Sequence, residues 1–221
     1  MNQQHEYIGT RKLLIGIVLA VITFWLFANS LINVIPNLQT SFGSYLSTIS
    51  IAVSLTALFC GMFVVGAGSL ADYFGRVRLT IIGLWLNIFG SLLIIVSDYI
   101  PLLLMGRAIQ GLSAALIMPA TLSLIKAYYH GDKRQRALSL WSIGSWGGSG
   151  FASLFGGMIA TFLSWRWIFV FSIIVPLIAV LLIKGTPESK NQHASSRQFD
   201  IVGLILLVVM MLSLNTVSYT H

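Results

Sequence analysis

Charge is what this sequence has least of. Asp, Glu, Lys and Arg make up 9% of its 221 residues, and six of the residues are acidic. A soluble domain is typically about a quarter charged, so this chain has too little polar surface to cover a water-soluble globule. Its hydrophobic content of 57% and mean hydropathy of +0.88 lead to the same conclusion. The composition predicts an all-α protein, a bundle of several membrane-crossing helices.

Cysteine and histidine are also scarce where chemistry would need them. A single cysteine, Cys60, lies in an apolar run, which excludes a disulfide framework and a cysteine-based metal site. The Gly148–Gly150 stretch is similar to the G-x-S-G pattern of intramembrane serine proteases, which need a histidine base in a neighbouring helix. The four histidines all lie in predicted loops or tails: His5, His130, His193 and His221. We therefore predict no enzyme activity, no metal and no cofactor.

Long uncharged runs are abundant. No charged residue occurs from Leu13 to Ala71, which is too long for one crossing of a core about 30 Å thick. A polar break at 36–44 divides this stretch. We predict seven spans, at about Leu13–Pro36, Thr48–Leu70, Leu79–Ser97, Pro101–Lys126, Ala137–Leu163, Trp167–Ile183 and Ile201–Val217.

These spans predict four regions. Residues 1–12 form an N-terminal tail, 13–183 a six-helix bundle, 184–199 a polar linker and 200–221 a seventh helix. Six spans plus one, with no basic anchor after the last, are interpreted as a chain that ends early.

Positive charge falls almost entirely on one side of this layout. Of the 13 Lys and Arg residues, eleven lie in the tail, in the loops after spans 2 and 4, or in the linker. Arg166 lies on the opposite side, and Arg107 lies within span 4. Because cytoplasmic loops collect basic residues, the N-terminus is predicted to be cytoplasmic. The net charge of +7 is thus a topology signal, and it favours anionic membrane lipids rather than nucleic acid as partners.

The turn after span 2, residues 68–78, reads GSLADYFGRVR. Gly68 allows a neighbouring helix to approach closely. Asp72 and Arg76 are four residues apart and can form an ion pair, and Asp72 can also face a helix N-terminus. Gly75 and Arg78 complete the pattern.

Span 4 carries a charge inside the membrane. Residues 107–115 read RAIQGLSAA, with Arg107, Gln110 and Gly111 spaced along one helix. An arginine in a span costs about 2.5–3.5 kcal/mol on insertion scales, so it faces the protein interior or water. Position alone leaves two alternatives for Arg107, an interior role or a side chain that reaches the outer surface.

Span 5 carries small residues at every fourth position, which predicts one face suited to close helix packing. These positions, together with the adjoining second glycine, are Gly144, Gly148, Ala152, Gly156, Ala160 and Gly157.

These motifs resemble those of the major facilitator superfamily. The turn is similar to its G-x-L-A-D-x-x-G-R signature, span 4 to its R-x-x-Q-G-x-x-A-A motif, and span 5 to the antiporter signature of proton-coupled exporters. That signature usually has Gly-Pro where this chain has Ala152-Ser153. The resemblance implies that the turn biases one of two access states by contacting the second half of the transporter. It also implies a role for Arg107 in proton transfer or gating, and either a gating or a packing role for span 5.

Residues 164–169, SWRWIF, resemble the entry to span 6 in the fourteen-span drug:proton antiporter branch. Within that branch the chain resembles quinolone exporters of the staphylococcal type, from about Lys12 to Asn215. The resemblance covers the first half of such a transporter, and the missing C-terminal half is expected to be needed for transport.

The resemblance implies efflux of hydrophobic, quinolone-like drugs from the cell membrane, driven by the proton gradient. No acidic residue lies within a predicted span, so an embedded proton acceptor would have to belong to the missing half. A non-transporting remnant and a solute importer of the same fold remain alternatives. Candidate drug contacts are aromatic, amide, hydroxyl and thioether side chains, although helix packing or an interfacial position is the more ordinary explanation for each: Trp25, Asn29, Asn33, Met118, Trp141, Ser145 and Trp146.

Overall fold

The computed structural model describes residues 7–189 and five helical positions further on, at 203, 206, 209, 210 and 213. The described residues form helices and no strand, so the all-α prediction is confirmed. The helices are α1 (Arg11–Ser30), α2 (Ile35–Phe42), α3 (Leu46–Phe74), α4 (Arg76–Ile95), α5 (Ile100–Tyr128), α6 (Gly131–Ser142), α7 (Gly148–Phe162) and α8 (Arg166–Ile183). Most of the predicted linker and seventh span lies outside the described residues.

Five helical segments in the described part are long and apolar enough to cross a membrane: Arg11–Phe42, α3, α4, α5 and α8. Predicted span 5 is not among them. It is divided by a π-helical turn, Ile143–Gly147, into α6 and α7, and it begins six residues earlier than predicted, at Gly131. The first turns of this helix carry charged residues, so a search for apolar runs does not find where it begins.

Predicted span 1 is wrong at its end, because the helical path continues past Pro36. A 3₁₀ turn, Leu31–Val34, joins α1 to α2, and Pro36 lies in the first turn of α2. Proline is tolerated there because the first helical N–H groups have no partner within the helix. The segment ends at Gly43, which has a φ of 58°. Gly75, with a φ of 117°, separates α3 from α4 in the same way.

The bundle is built around α5 and α8. Helix α5 packs against α3 and α4, whereas α8 packs against α1 and α4. Two large apolar clusters, one at each end of the bundle, form most of the core of the described residues, and a small third cluster contains Ala71. One large cluster includes Leu13 and Tyr128, and the other includes Leu103 and Phe169.

The end of the bundle near Leu13 is here named the basic end, because the described tail and loops that carry the basic residues meet there. The tail lies across the end of α5: the N–H of Gly9 donates to the Tyr128 carbonyl at 2.8 Å, and the Tyr129 hydroxyl donates to the Thr10 carbonyl at 2.7 Å. Burial raises the pKa of Tyr129 to about 12, which keeps this hydroxyl protonated as a donor. The far end of the bundle carries Arg166.

Candidate functional site

The turn between α3 and α4, Gly68–Arg78, is here named the signature loop. Its Asp72 and Arg76 form an ion pair in which Arg76 Nε and Nη2 donate to the same oxygen, Asp72 Oδ1, at 3.0 and 2.8 Å. The side chains are 34% and 17% exposed. Asp72 lies in the last turn of α3, where the helix dipole disfavours negative charge. The stability of its own helix therefore does not explain the acidic residue at this position.

The predicted contact between Asp72 and a helix N-terminus is not what the structure shows. Glu188, from the segment after α8, occupies the start of α4 instead: its two carboxylate oxygens accept the N–H groups of Val77 and Arg78 at 2.9 and 3.0 Å. Arg76 Nη1 donates to the Ser189 hydroxyl at 3.2 Å. Sequence reasoning missed Glu188 because it lies 110 residues from the loop, in a stretch interpreted only as a linker.

Arg78 and Gly68 have simpler environments. Arg78 is exposed at the basic end. A Cβ on Gly68 would lie 3.6 Å from Pro119 Cβ, an ordinary van der Waals distance, so an alanine would fit. The close helix approach predicted at Gly68 is found instead at Gly111, where a Cβ would lie 2.6 Å from the Thr56 carbonyl oxygen on α3.

Arg107 lies inside the bundle and is 1% exposed, which decides between the two alternatives left by the sequence. Its Nε donates to the Ala52 carbonyl of α3 at 3.1 Å, and its Nη1 donates to Gln110 Oε1 at 2.8 Å. The Thr56 hydroxyl donates to the Arg107 carbonyl at 3.0 Å. No carboxylate pairs with Arg107 among the described residues, so its charge is stabilised by neutral dipoles.

Gln110 extends this set of hydrogen bonds towards α8. Its Nε2 donates to Ser91 Oγ of α4 at 3.0 Å, and Ser91 Oγ lies 3.1 Å from Ser172 Oγ of α8. Asn87 Nδ2 donates to the Ser172 carbonyl at 2.8 Å. A continuous polar path thus runs from α3 through α5 and α4 to α8, and all of its side chains are buried.

The small-residue face of predicted span 5 packs against α1. A Cβ on Gly148 would lie 3.2 Å from Trp25 Cβ, and one on Gly156 would lie 2.7 Å from the Ser30 carbonyl oxygen. The Ser30 hydroxyl donates to the Ala152 carbonyl at 3.1 Å. A Cβ on Gly144 would lie 3.4 Å from Val18 Cγ1, an ordinary van der Waals distance. Gly157 is not part of this contact, because a Cβ there would meet nothing within 4 Å.

Two of the candidate drug contacts lie together. The indole rings of Trp25 and Trp146 stack with centroids 5.8 Å apart, and Trp146 is 73% exposed. Ser145 precedes Trp146 in the π-helical turn, and its buried hydroxyl has no hydrogen-bond partner among the described residues. Single π-helical turns within α-helices are frequently found at functional sites.

The remaining candidates are dispersed. Trp141 packs at the basic end and donates to Thr121 Oγ1 at 3.1 Å, and Met118 is half-buried on α5. Asn33 is exposed in the 3₁₀ turn, and the side chain of Asn29 lies outside the described part. The face that Asn29 and Asn33 were predicted to share depends on α-helical spacing, which ends at Ser30.

An apolar groove of about 370 Å³ runs beside α1 near the basic end. None of the candidate drug contacts lines it. Its lining residues are Arg11, Leu14, Ile15, Val18, Leu19 and Leu140.

Comparison with known proteins identifies the class. The family model of the Major Facilitator Superfamily matches residues 13–219, and the chain belongs to this superfamily. Membership makes the chain part of a transport protein rather than an enzyme, and the predicted family is confirmed. Such transporters generally use ion gradients and need no cofactor.

Particular relatives are similar over nearly the whole chain. The quinolone resistance protein NorB of Staphylococcus aureus, in strains Newman and USA300, is 68% identical over 207 residues, which are 94% of this chain and 45% of NorB. The chain therefore spans less than half the length of the curated relatives it matches.

Solved structures show the same fold. A D-xylose–proton symporter superposes with a TM-score of 0.70 and 15% identity, over 95% of this chain and 52% of the symporter. A peptide transporter in complex with sulfate superposes with a TM-score of 0.71 and 15% identity, over 100% of this chain and 49% of the transporter. At this identity the likeness concerns the fold alone.

Proposed function

We propose that this chain forms the N-terminal half of a drug:proton antiporter that exports planar, hydrophobic compounds such as quinolones. The observation that carries the proposal is the 68% identity to the quinolone resistance protein NorB over 94% of this chain. Transport would require a second half, because the six-span bundle must rock against a second bundle around a site near the membrane midplane. The transporter would lie in the cell membrane, with the basic end of the bundle in the cytoplasm.

The signature loop is proposed to set the bias between access states. Asp72 uses one carboxylate oxygen for both bonds from Arg76, and its side chain is one-third exposed at the basic end. A helix N-terminus of the second half would find a partly solvated carboxylate there, which its dipole would favour. Gly75, Arg76 and Arg78 would hold that carboxylate at the membrane surface.

The coupling of drug movement to proton movement is proposed to depend on the packing of α3 against α5, through Arg107, Gln110 and Gly111. Arg107 holds α3 against α5 through backbone carbonyls, and Gly111 allows the close approach that brings those carbonyls within reach. The described acidic residues lie in loops or at helix ends: Asp72, Asp98, Asp132 and Glu188. The proton-accepting carboxylate is therefore proposed to belong to the second half.

Drug contacts are proposed at the stacked indoles. Aromatic faces bind planar ring systems, and the exposed Trp146 ring presents one beside the Trp25 ring. Ser145 would add a hydroxyl next to them. Trp141 is assigned to packing, because its indole N–H is already bonded to Thr121. Anionic lipids are the proposed neighbours of the basic end.

The chain spans 45% of the length of NorB. A remnant that inserts into the membrane but transports nothing is the second candidate, and the following assay separates it from the first.

Expression of Met1–His221 in a quinolone-susceptible bacterium, with and without a separately expressed C-terminal part of NorB, tests both candidates. The measurement is intracellular accumulation of a fluorescent quinolone, with and without a protonophore. We expect lowered accumulation only when both parts are present and the proton gradient is intact. Asp72→Asn should abolish the effect, and Asp132→Asn, the same charge change in the exposed first turn of α6, should not. Unchanged accumulation with both parts inserted would exclude the antiporter and favour the remnant.

A further inference from the structure

The first turn of α4 lacks a capping group of its own. A helix leaves its first N–H groups without partners inside the helix, and a side chain just before it usually accepts some of them. Gly75 occupies that position and has no side chain, and Asp72 is engaged by Arg76. The N–H groups of α4 must therefore find acceptors elsewhere in the fold.

Two consecutive residues after α8 supply all of these acceptors. The Arg76 N–H donates to the Ser189 carbonyl at 3.1 Å, and the next two N–H groups donate to the two oxygens of Glu188. The Leu79 N–H then donates to the Gly75 carbonyl at 3.0 Å, which begins the regular helical pattern. A carboxylate at a helix N-terminus is also favoured by the dipole of α4.

Gly75 is shaped for this contact. A Cβ at this position would lie 2.6 Å from Glu188 Oε1, and the φ of 117° is one that residues with a side chain rarely adopt. The Tyr128 hydroxyl donates to the Pro187 carbonyl and so ties the same segment to the end of α5. The residues on either side of Glu188 are thus both bonded, Pro187 to Tyr128 and Ser189 to Arg76.

The opposite end of α4 is held by the opposite end of α8. Arg166 Nε donates to the Ile95 carbonyl and its Nη2 to the Ser97 carbonyl, both at 3.1 Å. A cation at a helix C-terminus is favoured by the dipole, as an anion is at the N-terminus. Since Asn87 and Ser172 join the two helices midway, α8 and its flanks contact α4 at three levels.

We propose that Glu188 is a positioning residue for the signature loop, and that it fixes the start of α4 so that the Asp72 carboxylate remains available to the second half of the transporter. Glu188 therefore acts through the loop rather than on a transported compound. The consequence for gating rests on the proposed function. The geometry of the loop does not depend on it.

Hydrogen exchange of the full 221-residue chain in lipid nanodiscs, read by mass spectrometry over peptides covering 75–80, tests the proposal. In the unaltered chain the amides of Val77 and Arg78 should be protected. Glu188→Gln has one carbonyl oxygen in place of two carboxylate oxygens, so exchange at these amides should be about tenfold faster, as expected when a hydrogen bond to a charged acceptor is lost. Glu188→Asp should restore part of the protection, because it keeps both oxygens.

Asp132→Asn is the matched control, since it removes one negative charge from the first turn of another helix, α6, at the basic end. It should leave exchange at 75–80 unchanged. Thermal unfolding is measured for the three variants in parallel. If Glu188→Gln and Glu188→Asp unfold at the same temperature but differ in hydrogen exchange at 75–80, Glu188 positions the loop. A general stabilising role would change the unfolding temperature as well.

Two results would overturn the proposal: unprotected amides at 77 and 78 in the unaltered chain, or equal exchange in Glu188→Gln and the unaltered chain. The first needs no variant, so it holds even if Glu188→Gln fails to fold. Neither measurement involves transport. If the two parts together exported nothing, but the loop amides of this chain depended on Glu188, the proposed function would be contradicted and the positioning role supported.

Discussion

Arg76 and Arg107 are arginines from two different motifs of the family, and their surroundings are opposite in kind. Arg76 lies at the basic end and pairs with a carboxylate that water also reaches. Arg107 is buried and has carbonyl and amide oxygens as acceptors. An exposed ion pair contributes little to stability and can exchange partners, whereas a buried guanidinium cannot move without leaving acceptors unbonded. The interior arginine thus maintains the bundle, and the surface arginine is free to take part in a change of state.

Arg107→Leu should have the largest effect on folding. It leaves Gln110 Oε1 without its donor, at a cost of about 1–3 kcal/mol for a buried acceptor, and it removes the second donor of the Ala52 carbonyl, which remains bonded within α3. Arg107→Lys should be intermediate, because one ammonium group cannot reproduce the guanidinium fork. Unfolding in detergent, followed by tryptophan fluorescence, measures both variants. Equal stability of Arg107→Leu and the unaltered chain would remove the distinction between the two arginines.

Gly156→Ala should have the next largest effect on stability. It extends the comparison to helix packing in the interior. The added methyl group would meet the Ser30 carbonyl oxygen, and such overpacking costs about 1–3 kcal/mol. Gly157→Ala is the matched control, since its methyl group would meet nothing within 4 Å. We expect the control to be neutral or slightly stabilising, because alanine favours helix. The same unfolding assay would contradict this account if the two variants were equally destabilised.

Asp72→Asn should change stability little and transport greatly. The pair joins the end of α3 to the start of α4, and a partly exposed ion pair contributes about 0.2–1 kcal/mol. In the two-part accumulation assay, however, efflux should be lost, because an amide lacks the negative charge that a helix N-terminus favours. A variant that kept full efflux, or that unfolded as readily as Arg107→Leu, would show that Asp72 belongs with the interior residues.

Trp146→Ala should have a small effect on stability. The residue is 73% exposed, and its stacking on Trp25 is worth about 0.5–1.5 kcal/mol. With both parts expressed, efflux of planar quinolones should fall more than efflux of non-planar compounds. Trp141→Phe, which removes the indole N–H bonded to Thr121, is the comparison that should affect stability instead. Equal loss of efflux for both kinds of compound would exclude a stacking role for Trp146.

Much of the architecture could be predicted from the sequence because membrane helices satisfy their own backbone groups. A long apolar run therefore indicates a helix whatever its neighbours are. The prediction failed where a helix was polar or regular spacing was interrupted. The start of α6 is charged, Pro36 begins a helical turn rather than ending one, and the π-helical turn at Ile143–Gly147 has no signal in apolar content.

The candidate site divides in the same way. The pairing of Asp72 with Arg76 could be predicted from their spacing of four residues, although Gly75 separates α3 from α4 between them. Whether Arg107 faced the interior could not, because the sequence does not show which neighbours surround a helix. The stacking of Trp25 on Trp146 joins residues 121 positions apart, and no local pattern contains it.

By itself, the sequence determined the solvent, the helices, the family and the local pair of the signature loop, since each depends on composition or on short spacings. Tertiary structure alone decided that Glu188 caps α4 and that Arg107 is stabilised by neutral oxygens. It also decided that Gly111 rather than Gly68 is the point of close contact between α3 and α5. The physical reason is that unpaired N–H groups and buried charges take whichever acceptors the fold brings near, and these acceptors lie on other helices.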